Sequence, residues 1–268
     1  MQKLKIIVLA KQVPDTRNVG KDAMTAEGTV NRAALPAIFN PEDLNALEQA
    51  LRLKEDFPGS TITLLTMGPA RAAEIIQEGL YRGADDGILL SDRAFAGADT
   101  LATSYALAKA IEKIGDFDII LGGRQAIDGD TAQVGPQVAT KLGLTQITYA
   151  EKILGIENGV ITVKRQIDGG VETVQAPLPL VVTVNNSAAE CRPRNAKLLM
   201  KNKKVEVTQW TTADIDADLE LCGLSGSPTK VKTVENIVFQ TKESRTMTGS
   251  DSDIEGLIVE LLNNHTIG

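Results

Sequence analysis

Histidine, cysteine and aromatic side chains are scarce in this sequence. Its 268 residues hold one histidine, His265. That leaves no imidazole set for a metal site and none for a serine–histidine catalytic triad. The two cysteines, Cys191 and Cys222, make neither a disulfide framework nor a zinc ligand set. Aromatics are 3% of the chain, too few for a surface that stacks nucleic-acid bases. There is no positive excess either. The net charge of −7 gives the whole chain no pull toward phosphate backbones or anionic lipid. Long hydrophobic runs are missing as well. The opening MQKLKIIVLAKQVPD has an apolar run only from Ile6 to Ala10, too short for a signal peptide or a membrane span. These absences predict a cytoplasmic protein with no membrane span, no nucleic-acid partner, no metal and no catalytic side-chain pair. Any hydride or electron chemistry must then come from a cofactor.

What is present is a 43% apolar chain, enough for a large core, in which strand and helix signals alternate. Leu4–Ala10 is a continuous apolar run, as a buried parallel strand requires. A long polar loop, Lys11 to about Phe39, follows. Asn40-Pro41-Glu42-Asp43 then opens a helix, with Asn40 suited to the N-cap and Pro41 to the first turn. Thr61–Met67 is the second strand, and Ala70 to Tyr81 a helix. Gly87–Leu90 is the third strand, and Asp99 or Thr100 caps a helix to about Ile114. Phe117–Leu121 is the fourth strand, with a helix from about Thr131 to Leu142 after it. This rhythm predicts an α/β fold: a doubly wound, mostly parallel sheet with helices on both faces. Ligands in such sheets sit beyond the strands' carboxyl ends, which singles out the loops after Ala10, Met67 and Leu121.

The pattern changes after Ala150. Glu157-Asn158-Gly159 and Asp168-Gly169-Gly170 are turn signals between short strands, a β-hairpin excursion over 150–175. Pro179–Val184 is again a buried-strand run. Residues 190–205 are basic, with Arg194, Lys197, Lys201, Lys203 and Lys204, and Leu224–Thr229 is rich in breakers. The expected organisation is one α/β domain over 1–224 and an extended C-terminal arm over 225–268, which has little core of its own.

The strongest local signal is Gly122–Pro136, GGRQAIDGDTAQVGP, between a strand and a helix. Its backbone N–H groups and the helix N-terminus can cradle phosphate. Thr131 and Gln133 can donate to phosphate oxygens, and Arg124 can pair with a phosphate or a flavin edge. Asp128 and Asp130 repel a phosphate unless they are occupied by N–H groups or sugar hydroxyls. The loop is neither a GxGxxG nor a Walker sequence, and its spacing alone serves a nucleotide cradle and an ordinary glycine-rich turn equally. Small Ala10 permits close approach of a ligand, although a plain strand exit is the better explanation of the segment taken alone. Asn40, read locally, is a helix cap rather than a ligand.

Several of these segments together resemble the electron-transfer flavoprotein β family. The carriers are Val163 to Val174 (VKRQIDGGVETV) with Pro179 and Val181-Val182-Thr183, the opening LAKQVPDT, the NPEDLNALEQAL helix start, the GRQAIDGDTAQVGP loop, and Pro193-Arg194 with the lysines after it. The resemblance implies a heterodimer with an α subunit, and an arm that packs on it. It implies a nucleotide site at Ala10, Asn40, Asp43, Met67, Arg124, Gln125, Ala126, Asp128, Gly129, Asp130, Thr131, Gln133, Val134 and Gly135, and a partner-recognition contact at Leu198 or Leu199. The form of loop 128–136, and the long Lys11–Phe39 loop with Arg32 and Pro36, resemble the electron-bifurcating group. That implies FAD in the site, NADH as electron donor, and acceptors of two kinds: a flavin-dependent acyl-CoA or hydroxyacid dehydrogenase, and ferredoxin or flavodoxin. The classical alternative carries AMP in place of FAD. An alternative of another class is a standalone adenine-nucleotide sensor.

Overall fold

The computed structural model describes residues 3–15, 36–229 and 249–264. Arg32 and His265 lie outside the described residues, as does much of the expected arm. The first strand, β1 (Lys5–Leu9), pairs in parallel with β4 (Thr61–Met67) on one side and with β6 (Ile119–Gly123) on the other. Beyond β4 the order continues to β5 (Asp86–Leu90) and β11 (Thr208–Trp210). Beyond β6 it continues through β10 (Leu180–Val184), β7 (Thr145–Glu157), β8 (Val160–Ile167) and β9 (Gly170–Pro177). All pairings from β11 to β7 are parallel, and those from β7 to β9 are antiparallel.

Period-two alternation along these strands feeds two separate cores. Ile6 and Val8 of β1 face α1 (Pro41–Asp56) and α2 (Ala73–Arg82), among Leu47, Ala50, Ile75 and Ile76. Ile7 and Leu9 face α3 (Thr100–Ile114) and α4 (Val134–Leu142), among Leu107, Ile111 and Val138. Helices therefore cover both faces, the doubly wound arrangement that the strand–helix rhythm predicts.

Four local findings refine the sequence expectations. The Lys11–Phe39 loop is closed at its base by an antiparallel pair, β2 (Gln12–Pro14) with β3 (Ala37–Phe39). The helix expected from Ala70 begins as one 3-10 turn over Ala70–Ala72 before α2. The helix expected from Thr131 starts at Val134, because Asp130 and Ala132 sit at φ 48° and 52°, a left-handed conformation that no right-handed helix can include. The hairpin is not detached from the sheet: β7 starts at Thr145 and pairs with β10 before turning to β8. Its turn at Asn158-Gly159 has φ 51° and 76°, the positive pair that a two-residue hairpin demands. Across the hairpin Arg165 and Glu172 stand opposite each other and form an ion pair of 2.8 Å.

The far end of the chain differs. In α5 (Ala196–Asn202) no residue is buried, and Leu199 and Met200 are exposed. In α6 (Asp251–Asn263) none is buried either, with Ile254, Leu257, Ile258, Val259 and Leu262 all exposed. Among the described residues no helix is long and apolar enough to cross a membrane.

The entry to β1 is held by a side chain. Leu4 N–H donates to Ser60 Oγ at 2.8 Å, and Ser60, buried, donates onward to Phe57 O. Ser60→Ala strands that buried amide and should cost about 1–3 kcal/mol; an unchanged urea midpoint would mean that water replaces the hydroxyl.

Candidate nucleotide site

The chain leaves β1 for β4 and β5 on one side and returns to β6 on the other. The order therefore reverses between β1 and β6, and at such a switch point the two following loops part and leave a crevice. A cavity of about 390 Å³ occupies that position. Its floor is apolar, from Leu9, Leu65, Phe95, Leu107 and Val181, and its rim is the 122–135 loop.

Twelve of the fourteen sequence-predicted residues line this cavity: Ala10, Asp43, Met67, Arg124, Gln125, Ala126, Gly129, Asp130, Thr131, Gln133, Val134 and Gly135. Asn40 and Asp128 do not. Asn40 occupies the N-cap of α1 but makes no side-chain cap bond there. Its amide donates to Gln125 O at 2.9 Å and its oxygen accepts from Ile127 N at 3.2 Å. The local capping interpretation is thus corrected: a tertiary partner takes both ends of the side chain, and Asn40 shapes the loop from behind.

Asp43 joins the walls. Its carboxylate accepts from Lys11 N at 2.8 Å and from Gly123 N at 2.9 Å, so it bridges the ends of β1 and β6. The approach is so close that a Cβ on Gly123 would stand 2.5 Å from Asp43 Oδ1, which only glycine avoids. Burial pushes the Asp43 carboxyl from 3.8 up to about 7, against the N–H groups of Gly123 and Lys11 and the side chain of Asn40, which favour the ionised form.

Each of the acids that threaten a phosphate has a partner. Asp128 pairs with Lys11 Nζ at 2.7 Å, and Asp130 Oδ1 accepts from Gln125 Nε2 at 2.7 Å. Arg124 is paired with Glu42 at 3.0 Å, and its guanidinium lies 5.5 Å from the centre of the Tyr149 ring. Tyr149 itself has φ 57°, an uncommon conformation for a bulky side chain. At the start of α4, Gln133 provides no side-chain cap, so the first-turn N–H groups of Val134 and Gly135 have no intrahelical acceptor. Gln133 Oε1 instead accepts from Thr100 Oγ1 at 2.9 Å, leaving its amide nitrogen as the donating end.

This donor set fits a nucleotide. An apolar slot suits a flat ring, and an uncapped helix N-terminus beside a glycine loop suits phosphate.

One wall was not among the expected residues: Gly97, Ala98, Asp99, Thr100 and Thr103 also line the cavity. The signal was available. β5 runs parallel to β4, so its carboxyl end and following loop open on the same side.

The family model for the electron transfer flavoprotein domain matches residues 27–215. The chain is 48% identical over 237 residues to the electron transfer flavoprotein subunit beta of Megasphaera elsdenii, covering 86% of this chain and 87% of that protein. It is 46% identical over 228 residues to the caffeyl-CoA reductase-Etf complex subunit CarD of Acetobacterium woodii, covering 85% and 86%. Protein FixA of Azorhizobium caulinodans is 44% identical over 238 residues, covering 86% and 84%.

The raised Asp43 pKa has a definite sign in stability. Between about pH 4 and pH 7 the folded chain keeps a proton here that the unfolded chain has released, so this group's contribution falls as pH rises. Asp43→Asn removes that dependence and leaves one of the two N–H groups without an acceptor, a cost of about 1–3 kcal/mol. Denaturation of both proteins across this range should show a deficit in the variant that shrinks toward neutral pH. A deficit independent of pH would mean that Asp43 ionises like an exposed carboxyl.

Proposed function

We propose that this chain, which belongs to the electron transfer flavoprotein family as a β subunit, holds FAD in the cavity above the β1–β6 switch point. With an α subunit it takes electrons from NADH and divides them between a flavin-dependent dehydrogenase and ferredoxin or flavodoxin. The observation that carries the nucleotide reading is the uncapped N-terminus of α4 at the end of a glycine loop whose acids are already paired. The likeness of loop 128–136 to the bifurcating group supports FAD and the division of electrons. The name of the relative CarD, a subunit of a caffeyl-CoA reductase complex, supports a CoA-linked dehydrogenase as one partner.

FAD, when bound, accepts a hydride and passes electrons on singly; the chain supplies binding, orientation and electrostatics. Val134 and Gly135 N–H, with Thr131 and Gln133, would hold phosphate oxygens. Leu9, Leu65, Phe95, Leu107 and Val181 would exclude water from a bound ring. Arg124, anchored on Glu42, would present its remaining guanidinium N–H donors at the rim. Asp43, whose burial raises its carboxyl to about 7, ties the backbone of both walls together.

The extended arm of 225–268 would pack on the α subunit. The unburied apolar residues of α6 favour this over a standalone sensor, and the exposed Leu199 of α5 suits partner recognition. One observation favours the classical reading with AMP: at about 390 Å³ the cavity is at the small end of the range for ligand sites.

One measurement decides between the cofactors and a second tests the placing of the phosphates. Extraction of the purified αβ pair should yield two FAD per heterodimer, whereas one FAD with one AMP would establish the classical carrier. Thr131→Ala combined with Gln133→Ala should weaken cofactor binding by about 1–3 kcal/mol. Full retention at limiting cofactor would move the phosphates away from this loop.

A further inference from the structure

Among the described residues, the 218–229 segment lines no part of the cavity, yet it grips one of its walls. Leu224 N donates to Ala96 O at 3.0 Å. Ser227, 2% exposed, accepts from Asp99 N at 2.8 Å and donates to Gly223 O at 2.6 Å. Thr229 N donates to Asp99 Oδ2 at 3.1 Å.

Asp99 meanwhile spends its other oxygen on the helix, accepting from Leu101 N at 2.9 Å and Ala102 N at 3.1 Å. One carboxylate therefore divides its two oxygens between the start of α3 and the 218–229 segment. Capping α3 needs only Oδ1. The second oxygen and the Asp99 amide are both committed to a segment more than a hundred residues away in sequence. Residues 97–100 line the cavity, and Gly97 sits at φ 74°, outside any regular element. Their position is set from behind.

We propose that Ser227 and Thr229 are positioning residues for the cavity: through Asp99 they hold the Gly97–Thr103 wall in the shape that closes on a bound nucleotide, without touching it. The proposal rests on the reading of the cavity as a nucleotide site. It makes cofactor affinity depend on residues at the root of the C-terminal segment. By linkage, the state of that root depends equally on cofactor occupancy.

Two variants test it in the αβ complex. Ser227→Ala removes the acceptor for Asp99 N and leaves the helix cap intact. Asp99→Asn keeps an oxygen for the cap, where asparagine serves as well as aspartate, and places a donor against Thr229 N. FAD and AMP are each titrated into complex stripped of cofactor, well below the unfolding midpoint, and hydrogen exchange is followed over 97–103. Each variant should weaken the cofactor that binds by about fivefold to tenfold, with faster exchange in that wall. Unchanged affinity with only a lowered midpoint would make the contacts merely structural and overturn the proposal. If the unmodified complex binds neither FAD nor AMP, the functional reading fails on its own. Exchange then decides the grip by itself: unaltered protection over 97–103 in Ser227→Ala would refute it.

Discussion

One buried carboxylate sets the geometry on which the site depends. β1 and β6 are neighbours in the sheet, but the chain leaves them in opposite directions, and nothing in the ladder fixes how far their loops diverge. Asp43 does, by accepting one N–H from each. The first turn of α1 is thereby tied to both strand ends. Its neighbours extend the same connection: Glu42 takes Arg124 and Gln125 N, and Asn40 takes Gln125 and Ile127. Three polar residues around the start of one helix, Asn40, Glu42 and Asp43, thus shape a loop eighty or more residues away. Removing the hydrogen bonds of such a group costs more than they return when made, because the partners are left dry.

This arrangement separates what was legible in the sequence from what was not. The strands and most helix limits could be read because burial on both faces imposes continuous apolar runs and helix caps are local chemistry; Asp99 caps α3 as its position suggests. Asn40 was misread for the same reason. Its sequence context is that of a cap, and only the fold brings Gln125 and Ile127 to its side chain. The start of α4 was misplaced because the left-handed conformations of Asp130 and Ala132 have no glycine to announce them. The wall at 97–103 carries no glycine cluster or charge pattern to draw attention to it; its place in the cavity follows from the parallel direction of β5, which the strand–helix rhythm already implied.

The loop also shows how an acidic stretch can have its acids partnered within the fold. Asp128 and Asp130 look unsuitable beside phosphate. Asp128 is paired with Lys11 and Asp130 accepts from the Gln125 amide, while the first-turn N–H groups of Val134 and Gly135 have no acceptor within their own helix. Net charge, at −7, is therefore a poor guide to local potential, which is set by orientation over a few ångströms.

The shared strand β7 has a mechanical consequence. Its first half belongs to the parallel sheet and its second half to the hairpin, and the register slips between the two at Val182 and Val184 of β10. Tyr149, with its left-handed backbone, stands at that junction against Arg124. Tyr149 thereby belongs at once to the strand that feeds the hairpin and to the surroundings of Arg124 on the rim of the cavity. One residue ties the placing of the sheet's far edge to the placing of a charged side chain at the site.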